Sequence, residues 1–296
     1  MRLRYRLGSN KIFERPHEED ALPPKRVVFI SAEGTSTEVC YFKYVEQYRE
    51  QLGIDAVVHV EVLRKFDTKS DPQHVLELLE EYEQLRENKK FKEQLAELNL
   101  EGYSAEFIQD YLNDPDSIPD RTRRQFEGVL RTKQIALRYL DFLNKYKGED
   151  DDVFAVVIDR DQNREDIQSD IARIDQIVNV MCQCEQKGYQ CYITNPCFEF
   201  WLLLHISDVA LEYADRLDEF LDNRVDAQKN SFISNLLCEK TGNRKGIQRK
   251  VFEQYYLHGI DLAIERAKGF ASGDGLMENI GSNLGELFKL LRKSNI

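Results

Sequence analysis

Val153-Phe154-Ala155-Val156-Val157-Ile158-Asp159-Arg160-Asp161 is the stretch that decides the fold. An apolar, β-branched run stops abruptly at carboxylates. Such a run reads as a strand buried on both faces, as in a parallel sheet. A second segment repeats the pattern, Val27-Val28-Phe29-Ile30-Ser31-Ala32-Glu33-Gly34. In open α/β sheets the chemistry lies just past the carboxyl ends of the strands. Glu33, Asp159 and Asp161 are therefore expected to meet. Three converging carboxylates raise one another's pKa unless a cation holds them. Hard oxygen donors of this kind suit magnesium or manganese.

Working outward, strands alternate with helical patterns. The first strand is expected at Arg26 to Ala32. Gly34-Thr35-Ser36-Thr37-Glu38 turns into a helix, with Thr35 or Ser36 as its cap and Glu38 in its first turn. A second strand follows at Asp55 to Leu63, and Asp71-Pro72 opens another helix. The third strand is Val153 to Ile158. A long helix over Glu165 to Lys187 ends at Gly188 as its C-cap. Tyr189 to Thr194 is the fourth strand. Asn195-Pro196 then leads into a very apolar helix, Phe198 to Ile206. This alternation predicts a mostly parallel α/β sheet with right-handed crossovers. Residues 1–24 read as a loose arm ending in Pro23-Pro24, and 25–207 as the α/β domain. About 80–147 reads as a charged helical insertion and 208–296 as a helical C-terminal region.

The 296 residues carry 53 Asp plus Glu against 41 Lys plus Arg, a net charge of -12. This excludes a generic nucleic-acid coat, whose binding rests on excess Lys and Arg, but not a local basic groove. No run reaches the length of a membrane-spanning helix, and the basic N-terminus lacks an apolar signal core. A cytoplasmic protein with no membrane partner is expected. Cys40, Cys182, Cys184, Cys191, Cys197 and Cys238 lack paired knuckle spacing, so they read as free thiols. No Gly-x4-Gly-Lys-Ser/Thr loop is present, so a partner would supply any ATPase activity.

Several positions carry two readings. Glu33 is a metal ligand or a helix cap. Asp159-x-Asp161 presents alternate side chains to one side, as metal ligands or as a capping pair. Arg160 between them is a phosphate contact or a neutralising partner. Asn195 could start the helix and face the site. Glu199, in an otherwise apolar helix, is a second-metal ligand or the partner of a buried cation. Glu38 either caps or supports the metal, and His205 reads as a core histidine. Two basic clusters are candidate grooves or solvated helix faces. One is Arg121, Arg123, Arg124, Arg131 and Lys133; the other is Arg244, Lys245, Arg249 and Lys250.

A Glu after strand one and an Asp-x-Asp after a later strand resemble the Toprim metal site of topoisomerases, primases and OLD-type nucleases. Asn195-Pro196-Cys197-Phe198-Glu199-Phe200-Trp201-Leu202-Leu203-Leu204-His205 resembles the Asn-Pro-x-Phe-Glu-x-Trp-Leu-Leu-Leu-His block of the RloB family. Glu33-Gly34-Thr35-Ser36-Thr37-Glu38 with Tyr41-Phe42, and Ile158-Asp159-Arg160-Asp161, match as well. The resemblance runs from about Lys25 to the C-terminus, with about Glu87 to Arg124 as an extra. Asn279-Ile280-Gly281-Ser282-Asn283 loosely matches the family's Asn-Pro-Ser-Thr segment. The resemblance implies a Toprim-like core and a magnesium-dependent nuclease in bacterial anti-phage defence. RNA, notably tRNA, is the implied target. Glu33, Asp159 and Asp161 would be the metal ligands, with Glu199 and Lys250 as further catalytic residues. Arg160, Asn195, Arg244 and Lys245 would bind substrate. The family keeps a Lys near the position of Lys250, which implies a substrate groove there or a Lys that stabilises the leaving phosphate. A DNA nuclease, a nucleotidyl transferase and a non-catalytic binding subunit of a defence complex are the alternatives. A regulatory partner from the same system and a homodimer complete the expectations.

Overall fold

The computed structural model describes residues 26–34, 36–55, 58–63, 71–87, 102–113, 118–132, 152–162, 164–242 and 247–292. Four parallel strands form the sheet: β1 (Arg26–Ala32), β2 (Val58–Val62), β3 (Val153–Asp159) and β4 (Gln190–Asn195). A two-residue strand, β5 (Gly281–Ser282), pairs antiparallel on the outer edge of β4, and the order is β2-β1-β3-β4-β5. The α/β class and the mostly parallel sheet expected from the sequence are both present.

Helix α1 (Thr37–Gln47) links β1 to β2, and α2 (Pro72–Glu87) follows β2. Helices α3 (Ala105–Asn113) and α4 (Asp120–Thr132) lie in the insertion. Ile108 and Tyr111 of α3, Phe126 and Leu130 of α4, and Ile118 between the helices make a small core of their own. The long α5 (Ile167–Lys187) links β3 to β4. It starts at Asp166, whose carboxylate accepts from the Ser169 N–H, and ends at Gly188 with φ +74°. Helix α6 (Phe198–Ile206) follows β4. Beyond it stand α7 (Phe232–Thr241), α8 (Ile260–Ala267) and α9 (Leu284–Arg292), with shorter turns between.

Alternation along the strands divides the core into two layers. Val28, Ile30, Ala32, Ala155 and Val157 face α1, α6 and the C-terminal helices. Val27, Phe29, Phe154, Val156 and Ile158 face α2 and α5. Both sheet faces are covered, which is why these strands read as unbroken apolar runs. Helix α6 is apolar around most of its girth because it is packed there, with Phe198, Phe200, Trp201, Leu203 and Leu204 all buried and Glu199 left at the cleft. His205 is a satisfied core histidine. Its Nδ1 bonds the Trp201 carbonyl at 2.9 Å and its Nε2 meets the Tyr41 hydroxyl at 3.0 Å. Burial lowers its pKa to about 3, so the ring is neutral.

The C-terminal region is not all helical. Gly281–Ser282 joins the sheet, and Asn283 extends that edge through its side chain. Its Oδ1 accepts from the Ile193 N–H at 2.6 Å and its Nδ2 donates to the Cys191 carbonyl at 3.2 Å. An alanine at Gly281 would put its Cβ 2.2 Å from the Ala271 carbonyl, so the close approach requires glycine. Among the described residues no helix is long and apolar enough to cross a membrane.

Candidate active site

β1 and β3 are neighbours whose connections depart to opposite sides, which makes their carboxyl ends the switch point of the sheet. Glu33 leaves β1 there and Asp159 ends β3 there. The two ends are stitched together. The Glu33 N–H donates to the Val157 carbonyl at 3.1 Å, and Glu33 Oε2 accepts from the Asp159 N–H at 3.1 Å. The next two residues are pinned to the end of β4. The Arg160 N–H donates to the Thr194 carbonyl (2.9 Å) and the Asp161 N–H to the Pro196 carbonyl (2.8 Å). Asp161 takes φ +46°, a left-handed conformation that aspartate tolerates better than most residues. Its side chain is 59% exposed and turned into a cleft.

That cleft has a volume of about 1000 Å³. Asp159, Asp161 and Glu199 line one side, with Ser36 and Thr37 from the start of α1. Ser36 makes no capping bond with its side chain, contrary to the capping role open to it in the sequence. Thr35 lies outside the described residues. The turn is held instead by Glu38, whose Oε1 accepts from the Gly34 N–H at 2.9 Å. A Cβ on Gly34 would fall 2.0 Å from that carboxylate. Glycine is needed here to admit Glu38.

The electrostatics follow from crowding. Asp159 is pushed well above the ordinary carboxylate range, first by burial, then by Asp161, Glu38, Glu33 and Glu199. Glu38 is raised to about 7, chiefly by burial, with Glu199 and Glu33 adding. Glu33 is raised by burial and held back by Arg173.

Arg173 joins this cluster and was missed by sequence reasoning. It comes from the second turn of α5. One nitrogen, Nη2, stands 2.8 Å from both Glu33 carboxylate oxygens and 2.6 Å from the Asp159 carbonyl. Asp161 Oδ2 is 3.8 Å from the same atom. Four oxygens thus surround a single cationic nitrogen. Oxygen donors of this kind are the sort a hard divalent cation prefers. Among the described residues no three carboxylate, histidine or cysteine side chains already converge as a metal cluster. The donor set fits a hard divalent cation once Arg173 withdraws.

The structure places Glu33, Asp161 and Glu199 near enough to Asp159 to raise its pKa, without forming a metal cluster. It moves three other expected contacts away. Arg160 is fully buried; its guanidinium grips Asp170 with two bonds of 2.9 and 2.8 Å and donates to the Met277 carbonyl at 2.8 Å. It ties β3 to α5 and to the Met277 segment and offers nothing to a phosphate in the cleft. Asp159 ends the strand, and the next residue along turns to the α5 side of the sheet. Asn195 is also fully buried, with its Nδ2 on the Leu276 carbonyl at 2.8 Å, and does not line the cleft. Lys250 is exposed and lies off the cleft, because Phe252 turns into the core and leaves 250 in solvent. Its neighbour Arg249 pairs with Glu253 at 2.9 Å. Arg244, Lys245 and Lys133 lie outside the described residues, as do residues 1–24. In the first basic cluster, Arg123 and Arg124 pair with Asp120 along α4, as on a solvated helix face.

A model of the RloB-like protein family matches residues 28–291. The chain belongs to the RloB-like family. No curated protein and no solved structure matches it.

Proposed function

We propose that the chain is a metal-dependent phosphodiesterase that cuts nucleic acid, RNA in preference to DNA. We place it as a cytoplasmic effector of bacterial anti-phage defence. The observation that carries the chemistry is the oxygen cage at the switch point, where Glu33, the Asp159 carbonyl and Asp161 enclose one cationic nitrogen. The defence role and the choice of RNA rest on family membership.

Glu33, Asp159 and Asp161 would hold magnesium or manganese, with Glu199 beside them. When bound, the ion supplies polarisation of the phosphoryl group and activation of water. The protein's own groups do the rest. The start of α1 presents Ser36 and Thr37 to the cleft, where a phosphate oxygen can be received. Glu38, with its pKa near 7, takes up or releases a proton at neutral pH as the charge beside it changes. Gln162 Oε1 is buried at the cleft with no partner among the described residues, which leaves an acceptor for a donor on the substrate.

The test is expression of wild type and Asp159→Ala in parallel, with new RNA and DNA ends mapped. Mg²⁺-dependent RNA ends seen only with wild type support the reading. DNA ends would move it to a DNA nuclease. One observation favours the other class, a non-catalytic binding subunit: Arg173 already neutralises the cage. An intact protein with no Mg²⁺ or Mn²⁺ affinity by calorimetry would establish that alternative.

A further inference from the structure

We infer that Lys229 is the phosphate-gripping cation of the cleft and that the loop around it is the binding wall for a nucleic-acid strand. This rests on the proposed nuclease reading, because it assigns the substrate contact of that same cleft.

The cleft is also lined by the loop that leads into α7, with Arg224 and Lys229, and by Arg164 from the β3–α5 connection. The three cations are not equivalent. Arg164 is paired with Asp222 at 3.1 Å and Asp218 at 3.6 Å. Arg224 lies 3.7 Å from Asp222 and 4.0 Å from Glu165. The Lys229 ammonium has no ion pair or hydrogen bond among the described residues, and the side chain is exposed. An unpaired ammonium on the wall of an acidic cleft is the group left to meet a polyanion.

Its position is built. Lys229 takes φ +63°, a left-handed conformation unusual for a lysine, and something must hold it there. Asp226 does. Its Oδ1 accepts from the Gln228 N–H (2.8 Å) and the Asn230 N–H (2.9 Å), and its Oδ2 from Asn235 Nδ2 (2.9 Å). The Lys229 N–H donates to the Asp226 carbonyl at 2.9 Å. The Asp226 carboxylate is consumed by these donors and is not the partner of the ammonium. The start of α7 beside it caps itself, since Ser231 Oγ accepts from the Ser234 N–H and Asn223 Oδ1 from the Ile233 N–H. The anion contact therefore falls to the lysine side chain and not to the helix terminus.

The full chain is titrated with a fluorescein-labelled single-stranded RNA, and with DNA of the same sequence, across a KCl series and read by anisotropy. Wild type, Lys229→Asn, Lys229→Arg and Lys250→Ala are compared. Asparagine tolerates the left-handed backbone, so Lys229→Asn removes the charge while keeping the loop. Losing one phosphate contact on a single strand lowers the salt slope by about 0.7, which is about fivefold weaker binding at about 0.1 M salt. Lys229→Asn is expected to show both changes, Lys229→Arg to restore them, and Lys250→Ala to match wild type. Tighter wild-type binding of RNA than of DNA would assign the strand type. Unchanged affinity and slope in Lys229→Asn overturn the inference, as does a wild type that binds neither strand. The nuclease reading fails separately: normal binding by wild type with no Mg²⁺-dependent cleavage sinks that reading and leaves the contact standing.

Discussion

Replacing Arg173 by methionine keeps the apolar stem and deletes the charge. Arg173 Nη2 makes three contacts under 3 Å, two to Glu33 and one to the Asp159 carbonyl. Breaking a buried ion pair by removing one partner costs about 3–5 kcal/mol. The side chains of Arg173 and Glu33 are 16% and 8% exposed, so solvent screens the pair slightly and the lower figure, about 3 kcal/mol, applies. For a chain of this size that is a fall in Tm of about 6–12 °C at pH 8. The sign with pH follows from Glu33. Its carboxyl is raised by burial, and Arg173 opposes the rise. Without Arg173 it rises further. A group whose folded pKa lies above its unfolded value stabilises the fold at low pH and loses that effect as pH climbs through the folded value. The deficit of Arg173→Met is therefore largest at pH 8 and shrinks toward pH 5. Mg²⁺ separates the variants again. In wild type the cation must displace a guanidinium, and in Arg173→Met it need not, so added Mg²⁺ should raise the variant's Tm more. Thermal unfolding across pH and Mg²⁺ reads all three effects. A variant that melts with wild type at pH 8, or an equal Mg²⁺ response in the two proteins, would refute the idea that Arg173 stands in the cation's place.

Other outcomes follow from the same site. Asp159→Asn should lower cleavage by more than about 100-fold and raise Tm increasingly as pH goes from 5 to 8, because it removes a crowded charge; activity assays and melting curves check it. Glu38→Gln should flatten the wild-type loss of stability between about pH 4.5 and pH 7, since the Glu38 pKa is raised to about 7. A pH–Tm profile as steep as wild type would count against it. Gly34→Ala should cost about 1–3 kcal/mol by driving the Glu38 carboxylate off the Gly34 N–H, seen as a lower urea midpoint. Arg160→Met should cost about 3–5 kcal/mol, because it strands Asp170, while the salt slope of nucleic-acid binding stays unchanged. A flatter slope would return Arg160 to the phosphate.

The strands were legible because burial on both faces leaves an unbroken apolar run, and β1, β3 and α6 stand within a residue of their expected bounds. The adjacency of Glu33 and Asp159 was legible for the same reason, since topology places the ends of neighbouring strands side by side. Arg173 was not found, although a signal existed. Asp170, Arg173 and Ile177 fall on the stripe of α5 that faces the sheet, and charges on an inward stripe need partners. Of the two readings of Arg160, the neutralising partner fits: burial raises the Asp161 pKa and the charges of Arg173 and Arg160 oppose the rise, while the Arg160 guanidinium is turned to Asp170 and away from a phosphate. β5 is two residues long and has no periodicity to read; its pairing depends on the β4 edge, a tertiary cause. Lys229 sits in the cleft only because Asp226 folds its loop, and no local pattern announces that.

The edge of β4 carries a further consequence. Its outer side is closed by Gly281–Ser282 and the Asn283 side chain, and α9 packs into the same layer as α6. These residues leave the ribosome long after the strand they seal. Until they arrive, β4 is an open template for adhesion and the helix that carries Glu199 lacks its cover. A nascent chain therefore holds the carboxylates in its sequence without holding the cleft. Interruption of synthesis after β4 would leave that strand edge unsealed and prone to adhesion.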